Sequence, residues 1–255
     1  MLWYKSWLET RWRFVIGLVL LMVLAWGAVF GYPAVAKLSS SIGTINAGTG
    51  AIARAISEAF EAQSTYRGFI WYQWHQQNLV QMWTLFAVLL GSGALVANTS
   101  GGALFTLSLP ASRSHLLGVR AATGLAEIFA LALIPSLLIP LLSPIVGQRY
   151  SIIDVLVHST CLFVAGSVFF NLAFLLSTIF DDLWRPLLMT CGVAVVLRMV
   201  EIVVRDLSPY GIFHVMSAES YFRAGRLPWL GLFLSAVASL AMLYVATINF
   251  ARRDF

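Results

Sequence analysis

The sequence predicts an all-α, polytopic membrane protein with six transmembrane helices. Of its 255 residues, 60% are hydrophobic and 11% are charged, and this composition lies outside the range usual for soluble domains. Apolar runs of about 20 residues, the length with which a helix crosses a bilayer, recur along the chain. A transmembrane barrel is excluded because the sequence contains no series of ten-residue alternating strands.

Six apolar runs meet the length requirement: Phe14–Phe30, Leu79–Ala97, Leu116–Leu142, Ile152–Phe180, Pro186–Val204 and Pro228–Phe250. In the third run, Pro135 and Pro140 remove backbone donors and are expected to bend the helix or end it early. Before the first run, three tryptophans and several basic residues predict an N-terminal interfacial helix over Met1–Arg13. No linker divides the chain, so residues 1–255 are predicted to form one domain.

An even number of spans places both termini on one side of the membrane, and the distribution of Lys and Arg indicates which side. With cytoplasmic termini, the inside segments hold Lys5, Arg11, Arg13, Arg113, Arg120, Arg185, Arg252 and Arg253. The outside segments hold almost as many basic residues, but these are spread over longer loops, where the positive-inside rule has less weight. The termini are therefore predicted to be cytoplasmic, and the net charge of +5 needs no nucleic-acid partner.

The N-terminal region has an alternative interpretation as a secretory signal. Arg11 and Arg13 precede an apolar run, and Ala34-Val35-Ala36 resembles a small-residue cleavage site. The apolar run is longer than a signal core, and the leader carries interfacial tryptophans. Retention of this region as the first span is the favoured prediction.

Two segments between spans are long enough to hold helices of their own. Ala51–Thr65 has apolar residues four apart, which suits a short amphipathic helix. Arg205–Leu227 mixes apolar, polar and turn-forming residues and is too polar to cross the membrane. It predicts one or two short helices at the membrane edge between spans five and six.

Enzyme signatures are missing from the sequence. Both lysines, Lys5 and Lys37, lack the preceding glycine of a Gly-Lys-Ser/Thr phosphate-binding loop. The four histidines are scattered, no metal-type spacing is present, and Cys161 and Cys191 are expected to be apolar fillers. The sequence therefore predicts no catalytic residue, no metal ligand and no nucleotide site in this chain.

Charged residues inside the spans are candidate pathway or intramembrane polar residues, because such charges tend to face protein or water. Arg198 and Glu201 share a face of the fifth span, either as an ion pair near the outer membrane edge or as part of a substrate site. Glu127 has only Arg120 as a basic neighbour, two turns away, and is either a packing hydrogen-bond partner or a pathway residue. Asp154 and His158 predict an interfacial pair.

The stretch GGALFTLSLPASRSHLLGVR, from Gly101 to Arg120, interrupts the apolar pattern between spans two and three. LFTLSL can form a short apolar element that Pro110 ends, and Ser112 can cap a helix beginning near Arg113. Such an element suits a groove on a soluble partner. A simple interfacial hairpin with a snorkelling Arg explains the same residues.

The block GGALFTLSLPASRSHLLGVRAA resembles the signature of type-two ATP-binding-cassette (ABC) exporter permeases. The positions that match the pattern are Gly101, Leu107, Ser108, Leu109, Pro110, Ser112, Arg113 and Arg120. The basic aromatic leader, the six spans, the membrane-edge segment and the tail NFARRDF agree with it. The chain departs from the family pattern at Asn98-Thr99-Ser100 and at Gly102-Ala103.

The resemblance implies an ABC exporter-type permease domain that binds two copies of a separate soluble ATPase and a second permease copy or homologue. ATP and Mg would bind to the ATPase, and this chain itself would bind no cofactor. The implied location is the inner (plasma) membrane. The implied ATPase-coupling loop consists of Gly101, Leu104, Phe105, Leu107, Pro110, Ser112 and Arg113. A proton-coupled secondary transporter and a non-transporting assembly subunit are the alternatives.

Overall fold

The computed structural model describes residues 2–42, 63, 65–93, 113–180, 182–204 and 210–252. These residues form an all-α fold. Among them, five helices are long and apolar enough to cross a membrane, which makes the chain a multi-pass membrane protein. Much of their apolar surface is exposed, and in a lipid membrane this surface faces acyl chains.

The first helix, α1 (Leu2–Ile42), is 41 residues long. The sequence predicted an interfacial leader helix ahead of the first span, but no break separates the two at Arg13 and Phe14. The predicted leader is therefore helical and continuous with the first span, and its interfacial position stays a prediction. At 1.5 Å per residue, α1 extends about 60 Å, roughly twice the thickness of the hydrocarbon core.

The helix at the predicted second span begins earlier than the sequence indicated, and it is not among the five described helices that are long and apolar enough to cross a membrane. α2 (Tyr66–Ile70), a π-helix (Trp71–Leu79) and α3 (Val80–Gly91) follow one another without a break, so the predicted start at Leu79 is wrong. Polar residues in the π-helix hide this continuity from a hydropathy reading. Residues 94–97 of the predicted span lie outside the described residues.

The remaining predicted spans appear as α4 (Arg113–Leu142), α5 (Ile152–Ser177), α6 (Trp184–Val203) and α9 (Trp229–Arg252), and a 3₁₀ turn (Ser143–Val146) follows α4. Pro135 and Pro140 lie inside α4 without ending it. α5 is the central helix, with 61% of its apolar stretch buried, against 17% for α6 and 11% for α9. α6 and α9 are therefore peripheral.

Two glycines allow helices to approach α5 closely. A Cβ at Gly91 would lie 2.5 Å from the carbonyl oxygen of Phe170, and a Cβ at Gly166 would lie 2.1 Å from the ring of Trp83. Both distances are below van der Waals contact, so these positions exclude a side chain unless neighbouring groups move. Gly91 therefore permits close packing of α3 against α5.

Two short helices, α7 (Ile212–Met216) and α8 (Glu219–Ala224), lie between α6 and α9. They confirm the prediction of short helices within Arg205–Leu227, of which residues 205–209 lie outside the described residues. The predicted helix over Ala51–Thr65 falls almost entirely outside them too.

α1 and α4 run in the same direction. Near their first residues, Arg120 of α4 bonds Glu9 of α1. Near their last residues, the ring of Tyr32 packs on Tyr66, whose hydroxyl lies 2.7 Å from the Ser143 hydroxyl just beyond α4. The bundle therefore has an Arg120 end, where α1 and α4 begin, and an opposite end, named the Asp154 end after the first buried acid of α5.

α5 runs from the Asp154 end to the Arg120 end, since Phe170, in its C-terminal part, lies against Gly91. α9 follows the same direction, because Gly231 packs against Val215 and Ser239 bonds Ser167 of α5. The N-terminal end of α1 and the C-terminal end of α9 therefore lie at the same end of the bundle.

Candidate functional site

The Arg120 cluster consists of Glu9, Thr10, Arg13, Arg120 and Glu127, and it joins α1 to α3 and α4. Arg120 Nη1 donates to Glu9 Oε2 at 2.7 Å, and its Nη2 donates to the carbonyl of Gly93. The Arg120 side chain is 14% exposed, so these are charge-assisted bonds in a largely desolvated place. These bonds hold the beginning of α1 against the C-terminal end of α3.

A second arginine strengthens the same junction. Arg13 Nη1 donates to the carbonyl of Leu89 at 3.3 Å, one turn before α3 ends. Carbonyls in the last turn of a helix lack intrahelical partners, and cations are favoured there by the helix dipole. Two arginines from different helices thus donate hydrogen bonds to carbonyl oxygens at the C-terminal end of α3.

Glu127 is buried in the middle of α4, 3% exposed. Its Oε1 accepts a hydrogen bond from the hydroxyl of Thr10, whereas its Oε2 has no hydrogen-bond partner among the described residues. Arg120, the basic neighbour identified from the sequence, makes its ion pair with Glu9 instead. Glu127 is thus a packing hydrogen-bond partner with one oxygen left over, and its part in a pathway stays a prediction.

Most of the predicted coupling loop lies outside the described residues. This holds for Gly101, Leu104, Phe105, Leu107, Pro110 and Ser112. Arg113 is the first described residue of α4, and the predicted helix start stays a prediction because Ser112 lies outside the described residues. The Arg120 cluster therefore holds the two helices from which residues 94–112 leave and to which they return.

The Asp154 cluster lies at the opposite end and consists of Arg67, His75, Tyr150, Asp154, His158 and Tyr221. Asp154 accepts from Arg67 Nε at 2.8 Å and from the hydroxyl of Tyr221 at 3.0 Å. His158 Nδ1 lies 2.6 Å from the backbone oxygen of Asp154, not from its carboxylate. Asp154 and His158 are therefore paired, as predicted, but through the backbone oxygen of Asp154, while Arg67 of α2 binds the carboxylate.

Two histidine rings stack inside this cluster. The centroids of His75 and His158 are 4.3 Å apart with the planes tilted by 25°, and both side chains are buried. Both ring nitrogens of His75, Nε2 of His158 and the hydroxyl of Tyr150 lack hydrogen-bond partners among the described residues. Burial raises the pKa of the Tyr150 hydroxyl, so it stays protonated.

The Arg198 cleft lies beside the last turns of α6 and is lined by Gln76, Arg198, Glu201, Ile202, His214, Ser217 and Glu219. Arg198 Nη1 is 3.5 Å from Glu201 Oε2, and Glu201 Oε1 accepts the backbone N–H of Phe213 at 2.9 Å. Sequence spacing predicted this ion pair. It did not predict the bond to α7, which depends on Gly211: a Cβ there would lie 2.3 Å from the Glu201 carboxyl carbon.

Glu219 also lines the cleft. Its Oε1 accepts from Arg223 at 2.7 Å, and its Oε2 lies 3.1 Å from His214 Nδ1, at an angle poor for a hydrogen bond. The contact with His214, helped by Arg223, outweighs burial and holds the pKa of Glu219 below its ordinary value. Glu219 is therefore a carboxylate at neutral pH.

Sequence reasoning missed Arg67, His75, Tyr221 and Glu219 as cluster members. Arg67, His75 and Tyr221 contact residues far away in sequence, so no local spacing indicated them. Glu219 pairs with Arg223 four residues on, a local signal that the sequence reasoning did not use. Their residue types were a partial signal, since charged and His residues beside apolar runs tend to find buried partners. In the part of the chain described here, no group of three His, Cys, Asp or Glu side chains could hold a metal ion.

The fold and these clusters define an all-α, multi-pass membrane protein with buried polar groups at both ends of its bundle. No family model, curated protein or solved structure matches the chain.

Proposed function

We propose that this chain is the membrane-spanning permease subunit of an ATP-driven ABC exporter. A separate soluble ATPase, present in two copies, hydrolyses ATP with Mg, and a second permease copy or homologue completes the pathway. The observation that carries the proposal is the block Gly101–Arg120, with its LSLP core, Ser112, Arg113 and Arg120. This chain itself has no Gly-Lys-Ser/Thr loop, so it is not the enzyme of the pair.

The Arg120 cluster supports a coupling role for residues 94–112. A partner that pushes on this segment displaces the end of α3 or the start of α4. Arg120 links both to α1 through Gly93 and Glu9. Movement of the segment is therefore passed to three helices together, as a rigid-body transition requires.

The proposed topology has six crossings, with both termini and Arg113 in the cytoplasm of a cell with an inner (plasma) membrane. We place the sixth crossing at the predicted second span, of which the helical run from Tyr66 to Gly91 is part. The shared end of α1 and α9 supports an even number of crossings. The Asp154 end then faces outwards.

The direct test is purification of the tagged chain from its native membrane in mild detergent. A soluble P-loop ATPase should co-purify in a one-to-one ratio with the chain, and the purified chain alone should not bind nucleotide. Absence of an ATPase from an intact, monodisperse preparation would favour a non-transporting assembly subunit.

A matched pair of variants locates the contact. Replacing Phe105 and Leu107 with Asp should remove the ATPase, because an apolar groove rejects charges. Replacing Thr106 and Ser108 with Asp adds the same two charges at polar positions and should retain it. If both variants insert in the membrane and keep the ATPase, the loop is not the coupling element.

One observation favours a proton-coupled secondary transporter as the second candidate. Glu127 is a buried carboxyl with one oxygen that lacks a partner, and such groups mark proton pathways in membranes. Under this alternative, Glu127→Gln abolishes proton-driven uptake in proteoliposomes that contain no ATPase. In the exporter, the same variant leaves ATPase binding unchanged.

A further inference from the structure

We propose that the Arg198 cleft binds a phosphate–amine zwitterion, the chemistry of a phosphoethanolamine lipid headgroup. The proposal requires only that α6 crosses the membrane, so it does not depend on the exporter function. It follows from the position of the cleft, from a cation with unused donors and from acceptors on other lining residues.

The position of the cleft gives a lipid access. Its volume is about 240 Å³, several times the roughly 30 Å³ that one water molecule occupies. Next to Arg198 and Ile202, α6 presents exposed apolar side chains, among them Val195, Met199 and Val203. Acyl chains lying on this face bring a headgroup to the polar cleft at the end of the helix.

Arg198 supplies the anion-binding group. A guanidinium carries five N–H donors, and among the described residues Arg198 uses one of them in a long contact of 3.5 Å with Glu201. Its other contact is the face of the Phe213 ring, 5.5 Å from the guanidinium carbon. The side chain is 44% exposed, which leaves a planar edge for the paired hydrogen bonds that arginine makes with phosphate.

Two other lining residues of the cleft supply acceptors for an ammonium group. Gln76 Oε1 is buried and has no hydrogen-bond partner among the described residues. Glu219 is ionised and lies on the same cleft. An ammonium group has three donors and no acceptor, so it matches an amide oxygen and a carboxylate.

The charges of the lining exclude simpler ligands. Glu201 and Glu219 disfavour a bare anion at Arg198, since like charges repel. A bare cation would instead leave the spare donors of Arg198 without an acceptor. A zwitterion with its phosphate at Arg198 and its amine at Gln76 and Glu219 satisfies both sides.

Thermal unfolding of the purified full-length chain in a phosphate-free, uncharged detergent tests the site. Phosphatidylethanolamine, phosphatidylglycerol and phosphatidylcholine are added at equal concentrations. Phosphatidylethanolamine should raise Tm by about 4 °C. Phosphatidylglycerol lacks the amine, and phosphatidylcholine lacks N–H donors, so both should raise Tm by less than half as much.

Variants assign the effect to the cleft. Arg198→Gln and Gln76→Leu should lose the difference between phosphatidylethanolamine and the other two lipids. Arg185→Gln, an exposed arginine at the other end of the same helix, should keep it. Comparing lipids within each variant removes any change that a substitution makes to basal stability.

Four outcomes decide the proposal. Equal shifts from all three lipids in the unmodified chain would overturn it, as would a full phosphatidylethanolamine effect in Arg198→Gln. Soluble phosphoethanolamine that reproduces the shift without acyl chains would support the zwitterion site and identify a free headgroup as its ligand. A shift that requires the acyl chains would identify the lipid.

Discussion

The two ends of the bundle bury polar groups in different ways. In the Arg120 cluster, guanidinium groups bond a carboxylate and the carbonyls of Leu89 and Gly93, so polar atoms on separate helices satisfy one another. In the Asp154 cluster, Arg67 pairs with Asp154 at a half-exposed position, while the stacked rings of His75 and His158 leave several nitrogens without partners. One end is joined by charged hydrogen bonds and the other by ring packing.

Because of this difference, replacing a polar residue with an apolar one should affect stability differently at the two ends. Removing a charged group from a satisfied network leaves its partners unpaired, which costs stability. Removing a polar group that has no partner relieves a burial cost. The same kind of change, from polar to apolar, should therefore have opposite signs at the two ends.

The largest effect is expected at Arg120. Arg120→Met should lower the free energy of unfolding by about 3 kcal/mol, because Glu9 and the Gly93 carbonyl lose a largely buried partner. Unfolding of the purified chain by sodium dodecyl sulfate in mixed micelles, followed by circular dichroism, measures the change. Arg185→Met is the control, since its ion pair with Asp182 is exposed and should contribute less than about 0.5 kcal/mol. Equal losses in the two variants would contradict the special role of the Arg120 cluster.

A substitution in the middle of the bundle, between its two ends, should have the next largest effect on the free energy of unfolding. Gly166→Ala places a Cβ against the ring of Trp83 and should lower the free energy of unfolding by about 2 kcal/mol through overpacking. Gly192→Ala adds the same methyl group in α6 where nothing lies within 4 Å. That control should raise stability by up to about 1 kcal/mol through helix propensity. Loss of stability in both variants would show that glycine matters here for reasons other than helix contact.

The smallest effect, with the opposite sign, is expected at His75. Replacing it with Phe keeps a ring beside His158 and removes two buried nitrogens that lack partners, so the chain should gain about 1 kcal/mol. Far-ultraviolet circular dichroism during the same detergent titration measures the gain. A loss above about 1 kcal/mol would mean that His75 has a hydrogen-bonding partner in the membrane, and the contrast between the two ends would fail.

The sequence was sufficient for the features that depend on local composition. Apolar length located α4, α5, α6 and α9 to within a few residues, because crossing a bilayer sets a minimum helix length. The spacing of Arg198 and Glu201 predicted their pairing because residues three apart share a helix face.

Features that depend on distant partners were out of reach. The polar residues of Trp71–Leu79 kept this stretch out of the predicted spans, yet it is helical. Its Trp71 and Trp74 donate to the distant residues Ser217 and Ser136 respectively. Nothing in the sequence around Glu9 indicated that it, and not Glu127, would form the ion pair with Arg120. Local patterns cannot choose among partners that only the packed bundle brings together.

The most direct test of the account is which side of the membrane each end faces. Single cysteines at Arg185, near the Arg120 end, and at Arg226, beyond the Asp154 end, are introduced in a chain that lacks Cys161 and Cys191; both positions are exposed. A membrane-impermeant maleimide added to intact cells should label position 226 and should label position 185 only after the cells are opened. Labelling of position 185 in intact cells would place the Arg120 end outside, where no cytoplasmic ATPase can reach it, and would contradict the proposed exporter.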